Sequence, residues 1–313
     1  MNIAVQGCGA MGSIYAALFC AAGHSVWVIS RNTEHMAAAK RTGLRVSGAS
    51  GDRIVTPTVV DELPDTPIDL LILAVKAGSV ADVAAGCQGS MAHISRVVTI
   101  QNGLGSADTV AELLGSEKLA VGIAQGFGAS LVAPGHVHHN DMKAIRLGTY
   151  GDLPLASIEE LASLWRQVGF DTEAVHDIVS AQWEKLICNV AYSAPCALTG
   201  LTVGEAMLDD ALGPITQEAA LEAYAVARAL NITLSFDDPV AYVRAFAERM
   251  PDAKPSVLLD IESGKPSEVG VINGSIPRQA AKVGLSAPVN ATLTQLVQAM
   301  ENRLSKNSLE ETP

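Results

Sequence analysis

The chain has 313 residues, of which 49% are hydrophobic and 17% are charged, and its formal net charge is −12. This length suffices for two domains that each bury a core. The acidic balance argues against nucleic acid or an anionic membrane surface as partner, because both attract clustered Lys and Arg.

The first half of the chain alternates short apolar strands with helices. Strands are predicted at residues 2–6, 25–30, 69–75, 96–101 and 118–123, and helices at 10–22 and 32–41, with a hairpin or irregular excursion over 44–59. The run DLLILAV at 69–75 is typical of a parallel strand covered on both faces. This alternation predicts βαβ units and therefore an α/β domain with a parallel sheet.

Residues 126–151 interrupt the alternation. Pro134 and Gly135 form a turn signal between two β-like runs, and AIRLGTYG closes the segment. We interpret the segment as antiparallel strands on the edge of the sheet. A helix at 157–168 and a strand at 171–175 complete the α/β half.

After about residue 176 the pattern is helical only. Helices are predicted at residues 181–198, 211–229, 238–249, 256–263, 267–282 and 290–304. We therefore place a boundary between an α/β domain, residues 1–176, and an all-helical domain, residues 177–313. The apolar helix faces of the second half fit either its own core or the surface of a homodimer.

The cysteines and histidines indicate no metal site. The five cysteines form no CxxC pair, which favours a reducing compartment. Only His136, His138 and His139 cluster, and an exposed β-hairpin explains them as well as a ligand set does. The N-terminus shows no secretion signal and no apolar run is long enough to cross a bilayer, so we expect a cytoplasmic protein.

A glycine-rich loop joins the first strand to the first helix. It consists of Gly7, Cys8, Gly9, Ala10, Met11 and Gly12. In a GxGxxG loop the glycines permit a tight turn, close approach of a pyrophosphate, and packing of the helix on the strand. The helix N-terminus adds free N–H groups for the phosphates, so the loop predicts a dinucleotide site.

The second strand ends in Ser30-Arg31-Asn32, where dinucleotide sites often carry an acid. A carboxylate there would accept hydrogen bonds from a ribose 2′-hydroxyl but would repel a 2′-phosphate. A guanidinium binds phosphate oxygens in a bidentate fashion, so Arg31 favours NADP(H). The alternative is an ordinary surface arginine in a loop.

Two further residues follow strands at the carboxyl edge of the sheet, where cofactors bind in open α/β folds. Lys76 follows DLLILAV and is a candidate for contact with the adenosine end, or a solvated lysine. Asn102 follows VVTIQ and is a candidate for hydrogen bonding to the cofactor ribose or the substrate. Asn-Gly is also common turn chemistry.

The helical half opens with WEKLICNV at residues 183–190. Lys185, Asn189 and Ser193 recur at steps of one helical turn and so share a face. Apolar neighbours would desolvate Lys185 and lower its pKa, which makes an ammonium a usable proton donor. From the residues alone, a solvated helix lysine is the simpler interpretation.

A second cluster lies at residues 254–275, KPSVLLDIESGKPSEVGVINGS. It contains Ser256, Glu268 and Asn273 among apolar residues. The alternative role of Ser256 and Glu268 is helix capping. Gly270 and Gly274 within a helical pattern indicate close packing against a neighbouring helix or a ligand.

Together these segments resemble the ketopantoate reductase (2-dehydropantoate 2-reductase) family. The resemblance rests on GCGAMG at 7–12, SR at 30–31, VKA at 75–77, QNGLG at 101–105, WEKLICN at 183–189, and PSVLLD followed by SEVGVING up to residue 274. It implies an N-terminal Rossmann-like NADP-binding domain followed by an all-helical substrate-binding and catalytic domain. It also implies NADPH-dependent reduction of a branched 2-oxo acid, with 2-dehydropantoate, a precursor in pantothenate biosynthesis, as the leading substrate.

The resemblance also assigns roles to individual residues. It implies that Lys185 protonates the carbonyl oxygen as hydride arrives, and that Glu268 helps to hold the lysine, cofactor and substrate. Asn189 would orient the substrate or the lysine, and Ser256 would bind the substrate carboxylate. Asn102 would lie beside the nicotinamide ribose and the substrate.

Three positions depart from the family pattern. Ser193 stands where a second asparagine is usual, Gly270 replaces an acid after the glutamate, and Ala253 replaces a frequent asparagine. These positions shape the pocket around the distal end of the substrate, with Ser193 still a candidate substrate contact. A paralogous NAD(P)-dependent oxidoreductase for another oxo or hydroxy acid therefore stays open.

Two other functions are compatible with parts of the sequence. A non-catalytic NADP(H)-binding sensor would need the glycine loop but no acid–base residues. A β-hydroxyacid dehydrogenase also joins a dinucleotide domain to a helical domain and uses a lysine, but PSVLLD and SEVGVING fit the ketopantoate reductase pattern better.

Overall fold

The computed structural model describes residues 1–126, 128–141 and 144–310, with residues 305–310 as helical backbone only. The chain divides into two compact units. An α/β unit comprises Met1–Gln101 and Ser106–Ile178, and a helical unit comprises Asn102–Gly105 together with the chain from Val179 onwards. We retain residues 1–176 and 177–313 as the proposed domains, with Asn102–Gly105 as a segment that the helical unit takes from the first half of the chain.

The α/β unit alternates strands and helices over its first part. Its strands are β1 (Asn2–Gln6), β2 (Ser25–Ile29), β3 (Leu44–Gly48), β4 (Arg53–Val55), β5 (Thr58–Val59), β6 (Leu70–Leu73), β7 (Val97–Thr99), β8 (Leu119–Gln125), β9 (Gly128–Ala133), β10 (His136–Asp141), β11 (Ala144–Thr149) and β12 (Thr172–Val175). Its helices are α1 (Ala10–Ala21), α2 (Thr33–Thr42), α3 (Val80–Cys87), α4 (Ser106–Leu114) and α5 (Leu155–Gln167). Helices α3 and α4 were not predicted from the sequence.

The main sheet confirms the predicted α/β class. In the described part of the chain its order is β12-β11-β8-β7-β6-β1-β2-β5, and the pairs from β5 to β8 are all parallel. Leu70 and Ile72 pack into the hydrophobic core on one face of β6, while Leu71 and Leu73 pack into the core on the other. Because both faces are buried, the strand is apolar throughout.

The prediction for residues 126–151 is partly wrong. Strands β9 and β10 are antiparallel to each other, but they belong to a second sheet of order β4-β3-β10-β9, in which β10 runs parallel to β3. Only β11 joins the main sheet, antiparallel to β8. Residues 127, 142 and 143 lie outside the described residues. The local sequence identifies a hairpin, but the sheet it joins depends on β3, a strand much earlier in the chain.

The second unit is helical, as predicted. Its helices are α6 (Ile178–Thr199), α7 (Val203–Leu208), α8 (Leu212–Ala229), α9 (Pro239–Arg249), α10 (Ser256–Glu262), α11 (Ser275–Lys282) and α12 (Pro288–Glu310). Helix α7 was not predicted. None of the described helices combines the length and the apolar character that a bilayer span requires.

One predicted helix, at residues 267–282, is wrong over its first half. The helix begins only at Ser275, and residues 268–274 form a series of turns. The carbonyl of Glu268 accepts from both Val271 and Ile272, at 3.0 and 3.1 Å, and the Val271 carbonyl accepts from Leu104 at 3.0 Å. A distant segment therefore takes a carbonyl that a continuous helix would use itself. We call residues 268–274 the glutamate turn.

Candidate active site

The glycine loop between β1 and α1 is shaped by backbone contacts. Gly7 has φ +95°, and a Cβ there would lie 2.5 Å from the backbone nitrogen of Val75. A Cβ on Gly12 would lie 2.1 Å from the carbonyl oxygen of Gly7. A Cβ on Gly9, in contrast, would meet no protein atom within 4 Å. Gly7 and Gly12 therefore allow the loop to fold, while Gly9 leaves room for a bound group to approach the backbone.

The N-terminus of α1 fits a phosphate group. Its cap residue, Gly9, has no side chain that could occupy the free N–H groups. The first turn, which contains Ala10 and Met11, carries no acidic residue. The free N–H groups and the partial positive charge of the helix end are therefore available to an anion. Any contact from Cys8 to such a group would come from its backbone, because its side chain is fully buried and burial raises the pKa of its thiol to about 11.

A buried polar chain anchors this loop to the second sheet. The Oγ of Ser13 lies 3.2 Å from the sulfur of Cys8 and 3.0 Å from Nε2 of His35, which is fully buried. The backbone N–H of Gly135 donates to Nδ1 of His35 at 2.9 Å. Nδ1 is thus an acceptor, so the neutral ring carries its proton on Nε2 and donates to Ser13. No motif indicates these hydrogen bonds in advance, because the residues that make them lie far apart in the sequence.

Arg31 is exposed at the end of β2, and its guanidinium donates to the hydroxyl of Ser79 at 2.5 Å. Ser79 closes a short 3-10 turn, Ala77–Ser79, that follows the exposed Lys76 beyond the end of β6. Asn32 caps α2 with its side-chain oxygen. Arg31 therefore lies at the carboxyl edge of the sheet, and Ser79 is a partner that sequence reasoning missed.

In the helical unit, Lys185, Asn102 and Glu268 form a hydrogen-bonded series. Lys185, on α6, donates from Nζ to Oδ1 of Asn102 at 2.8 Å. Asn102 donates from Nδ2 to Oε2 of Glu268 at 3.2 Å. Only this orientation of the amide satisfies both neighbours, since an ammonium has no acceptor and a carboxylate has no donor. We call these three residues the lysine–amide–glutamate series.

The environment of Lys185 changes its acidity. Burial of the amino group lowers its pKa from the usual 10.5 to about 8, and the negative charge of Glu268 opposes this with a smaller upward effect. With its pKa at about 8, the amine therefore loses its proton just above neutral pH, well below the usual range of a lysine. This is the range in which a side chain is an efficient general acid or base.

A glycine brings Asn102 to this position. Gly103 has φ +76°, and a Cβ there would lie 2.0 Å from the carbonyl oxygen of Val271. The next residue, Leu104, donates to the same carbonyl and packs against the core of the helical unit. Asn102–Gly105 is therefore fixed to the glutamate turn by a close approach that only glycine permits.

The other predicted substrate residues lie in the same unit. Asn189 and Ser193 follow Lys185 at steps of one turn along α6, the first half-buried and the second buried. Ser256 is exposed as the first residue of α10, whose cap position is Pro255, so the capping interpretation of Ser256 is wrong.

The departures from the family pattern differ in their surroundings. Ala253 packs against the helical core. A Cβ on Gly270 would meet only the side chain of Gln298, at 3.8 Å, so the backbone does not require glycine there. A Cβ on Gly274 would lie 2.6 Å from the Gly270 carbonyl oxygen, so the close contact at Gly274 is with its own turn and not with the neighbouring helix or ligand that the sequence suggested.

Two histidines of the tract make local hydrogen bonds, whereas the third, His139, is fully buried, so the interpretation of the tract as an exposed hairpin is wrong for that residue. His136 and His138 both contact the hydroxyl of Ser47, at 2.9 and 3.1 Å, within the second sheet. Across the described residues, no group of three His, Cys, Asp or Glu side chains is arranged to hold a metal ion.

Comparisons with known proteins match both units to one family. The family model "Ketopantoate reductase PanE/ApbA" matches residues 3–152, and its C-terminal counterpart matches residues 177–301. A 2-dehydropantoate 2-reductase of Pyrococcus horikoshii is 30% identical over 303 residues, which cover 96% of this chain and 98% of that protein.

Two solved structures extend the comparison. A PanE/ApbA family ketopantoate reductase from Ralstonia eutropha has a TM-score of 0.86 at 29% identity, covering 97% of this chain and 100% of that one. A D-mandelate dehydrogenase in complex with NADH has a TM-score of 0.88 at 25% identity, with the same coverage. The fold therefore also occurs in a protein named for a different 2-hydroxy acid.

Replacing Gly103 with alanine should separate Asn102–Gly105 from the glutamate turn. We expect Gly103→Ala to reduce the free energy of unfolding by roughly 1–3 kcal/mol, because the new Cβ meets the Val271 carbonyl at a positive φ. Calorimetry and urea titration would measure this.

The matched control is Gly86→Ala in α3, where a Cβ would meet nothing within 4 Å. That variant should be neutral or slightly stabilising. Equal stability of Gly103→Ala and the unmodified protein would contradict the proposed fit.

Proposed function

The chain belongs to the ketopantoate reductase family, and on that basis we propose that it uses NADPH to reduce a branched 2-oxo acid to a 2-hydroxy acid, with 2-dehydropantoate as the leading substrate. The observation that carries this proposal is the lysine–amide–glutamate series, in which burial lowers the pKa of Lys185 to about 8. A sensor that only binds the cofactor has no need for such a group.

The α/β unit is proposed to hold the cofactor. The glycine loop and the N-terminus of α1 would take the pyrophosphate, and Arg31 would take a 2′-phosphate with Ser79 beside it. Lys76 is a further candidate for the adenosine end. A bound reduced nicotinamide supplies the hydride.

The role proposed for Lys185 follows from the charge that develops. As hydride adds to a carbonyl carbon, negative charge grows on the carbonyl oxygen. An ammonium directed at that oxygen stabilises the transition state more than the ground state, and then delivers its proton. With a pKa of about 8, Lys185 is mostly protonated at neutral pH but gives up its proton readily.

Asn102 and Glu268 are proposed to orient this lysine. Asn102 holds the ammonium through Oδ1, while Glu268 accepts from the other end of the same amide. An ammonium has three protons and can donate to more than one acceptor, so a substrate oxygen and Asn102 can share it. Asn189, Ser193 and Ser256 remain the proposed contacts for the rest of the substrate.

A second candidate function is reduction of a different 2-oxo acid by the same machinery. It is favoured by Ser193, Ala253 and Gly270, where polar family side chains are absent or shortened. It is also favoured by the similarity to a D-mandelate dehydrogenase. Both candidates share the same hydride and proton transfer and differ only in the group attached to the oxo acid.

A substrate panel tests the proposal. We expect purified protein to oxidise NADPH in the presence of 2-dehydropantoate, with a higher kcat/KM than with a phenyl-substituted 2-oxo acid. The measurement is loss of absorbance at the reduced nicotinamide band. Preference for the aryl acid would replace the leading substrate by the second candidate, and absence of turnover with every 2-oxo acid would refute the reductase.

The role of Lys185 predicts a pH profile. Reduction should slow as the pH rises through about 8, because the ammonium is lost, and the reverse oxidation should speed up over the same range. Lys185→Ala should lose roughly 10²–10⁴ of kcat and show no such transition. Steady-state rates between pH 6 and 10 measure both effects.

Lys282→Ala, an exposed lysine of α11, is the control and should keep both rate and profile. A Lys185→Ala variant with the original alkaline transition would exclude this lysine as the proton donor.

Arg31 predicts the choice of cofactor. Arg31→Ala should weaken NADPH binding roughly ten- to a hundredfold, since a charge-assisted contact to phosphate is lost, while NADH binding changes little. Titration calorimetry gives both Kd values. Arg41→Ala, at the exposed end of α2, is the control and should bind both cofactors as before. Equal loss of affinity for NADH and NADPH would show that Arg31 does not read the 2′-phosphate.

A further inference from the structure

A fully buried asparagine connects the glutamate turn to the lysine helix. Asn273, in the glutamate turn, donates from Nδ2 to the carbonyl oxygen of Val190 on α6 at 2.8 Å and to Oδ1 of Asn290 on α12 at 3.0 Å. Glu268 precedes Asn273 in the same turn, and Lys185 precedes Val190 on the same helix. The hydrogen bond to Val190 therefore joins the two segments that carry the two charges of the lysine–amide–glutamate series.

Asn290 is itself held rigidly. Its Nδ2 donates to the carbonyl of Ala219 and to Oε2 of Glu222, both at 2.9 Å. Glu222 also accepts the backbone N–H groups of Val289 and Asn290, at 2.8 and 2.9 Å, at the start of α12. A carboxylate at a helix N-terminus is favoured by the free N–H groups there. Glu222 thus anchors Asn290, which in turn fixes the orientation of Asn273.

Within the described part of the chain, the side-chain amide of Asn273 uses its donor group but not its acceptor. Both protons of its amide are used, but among the described residues its Oδ1 is buried without a hydrogen-bond partner. A buried acceptor without a donor costs stability, and the two donated bonds must offset that cost. The benefit of this asparagine therefore lies in the orientation that its two donated bonds enforce, which is the usual advantage of a buried polar network.

We propose that Asn273 is a positioning residue, which sets the glutamate turn against α6 and so holds Glu268 and Asn102 in place around Lys185. Asn273 acts through these residues and takes no part in the chemistry itself. The expected effect on turnover rests on the proposed function. The expected effect on the titration of Lys185 does not.

Asn273→Ala tests the proposal. We expect kcat to fall about tenfold with little change in the Kd for NADPH, and the alkaline transition to move by about half a pH unit or more. An upward shift is expected, because a loosened turn admits water and removes part of the burial that lowers the pKa of Lys185. Asn273→Thr is similar in volume and keeps one donor, so it should restore part of both properties.

Thr216→Val is the matched control for a merely structural loss. Thr216 is buried in α8 of the same unit and donates only to the carbonyl of Gly213, at 2.7 Å. This variant should lower the melting temperature without moving the alkaline transition. If Asn273→Ala behaves in the same way, the positioning role is wrong.

A readout without turnover separates this inference from the proposed function. The rate at which a small acylating reagent modifies Lys185, followed by peptide mass spectrometry against pH, reports the titration of this amine directly. If the unmodified protein reduces no 2-oxo acid, the proposed function is wrong. The titration of Lys185 would still test the positioning role of Asn273. A titration identical in Asn273→Ala and the unmodified protein would overturn it.

Discussion

A neutral amide between a half-buried ammonium and a carboxylate is the arrangement on which the proposed chemistry of this protein depends. A direct ion pair of Lys185 with Glu268 would favour the charged lysine and keep its proton firmly bound. With Asn102 between them, burial outweighs the attraction, and the pKa of Lys185 falls to about 8. The site thereby keeps a cation oriented without making it a permanent one.

Two units supply their parts of the proposed reaction by different physical means. The cofactor loop depends on backbone sterics within a single strand–turn–helix, where Gly7 and Gly12 leave no room for a Cβ. The proposed acid–base site depends on contacts between segments that are remote in sequence, among them the close approach at Gly103 and the hydrogen bond from Asn273 to Val190. The first can be encoded by a contiguous motif, whereas the second needs the folded helical unit.

The wrong predictions from the sequence also arise from contacts between segments that are remote in the chain. The spacing at residues 267–282 is helical, yet the Val271 carbonyl is taken by Leu104, and the chain forms turns up to Ser275. The runs around Pro134 and Gly135 are correctly β-like, but β10 pairs with β3 in a separate sheet. In both cases a distant partner decided the outcome, and local periodicity carries no information about which partner is available.

The sequence by itself determined the α/β and helical halves, the glycine loop, and the one-turn spacing of Lys185, Asn189 and Ser193, because each depends on residues that are neighbours in the chain. Only the tertiary structure decided that Asn102 belongs to the helical unit and separates Lys185 from Glu268. The lowered pKa of Lys185 is likewise decided only by the tertiary structure. A pKa is set by burial and by nearby charges, and both arise only when distant segments pack together.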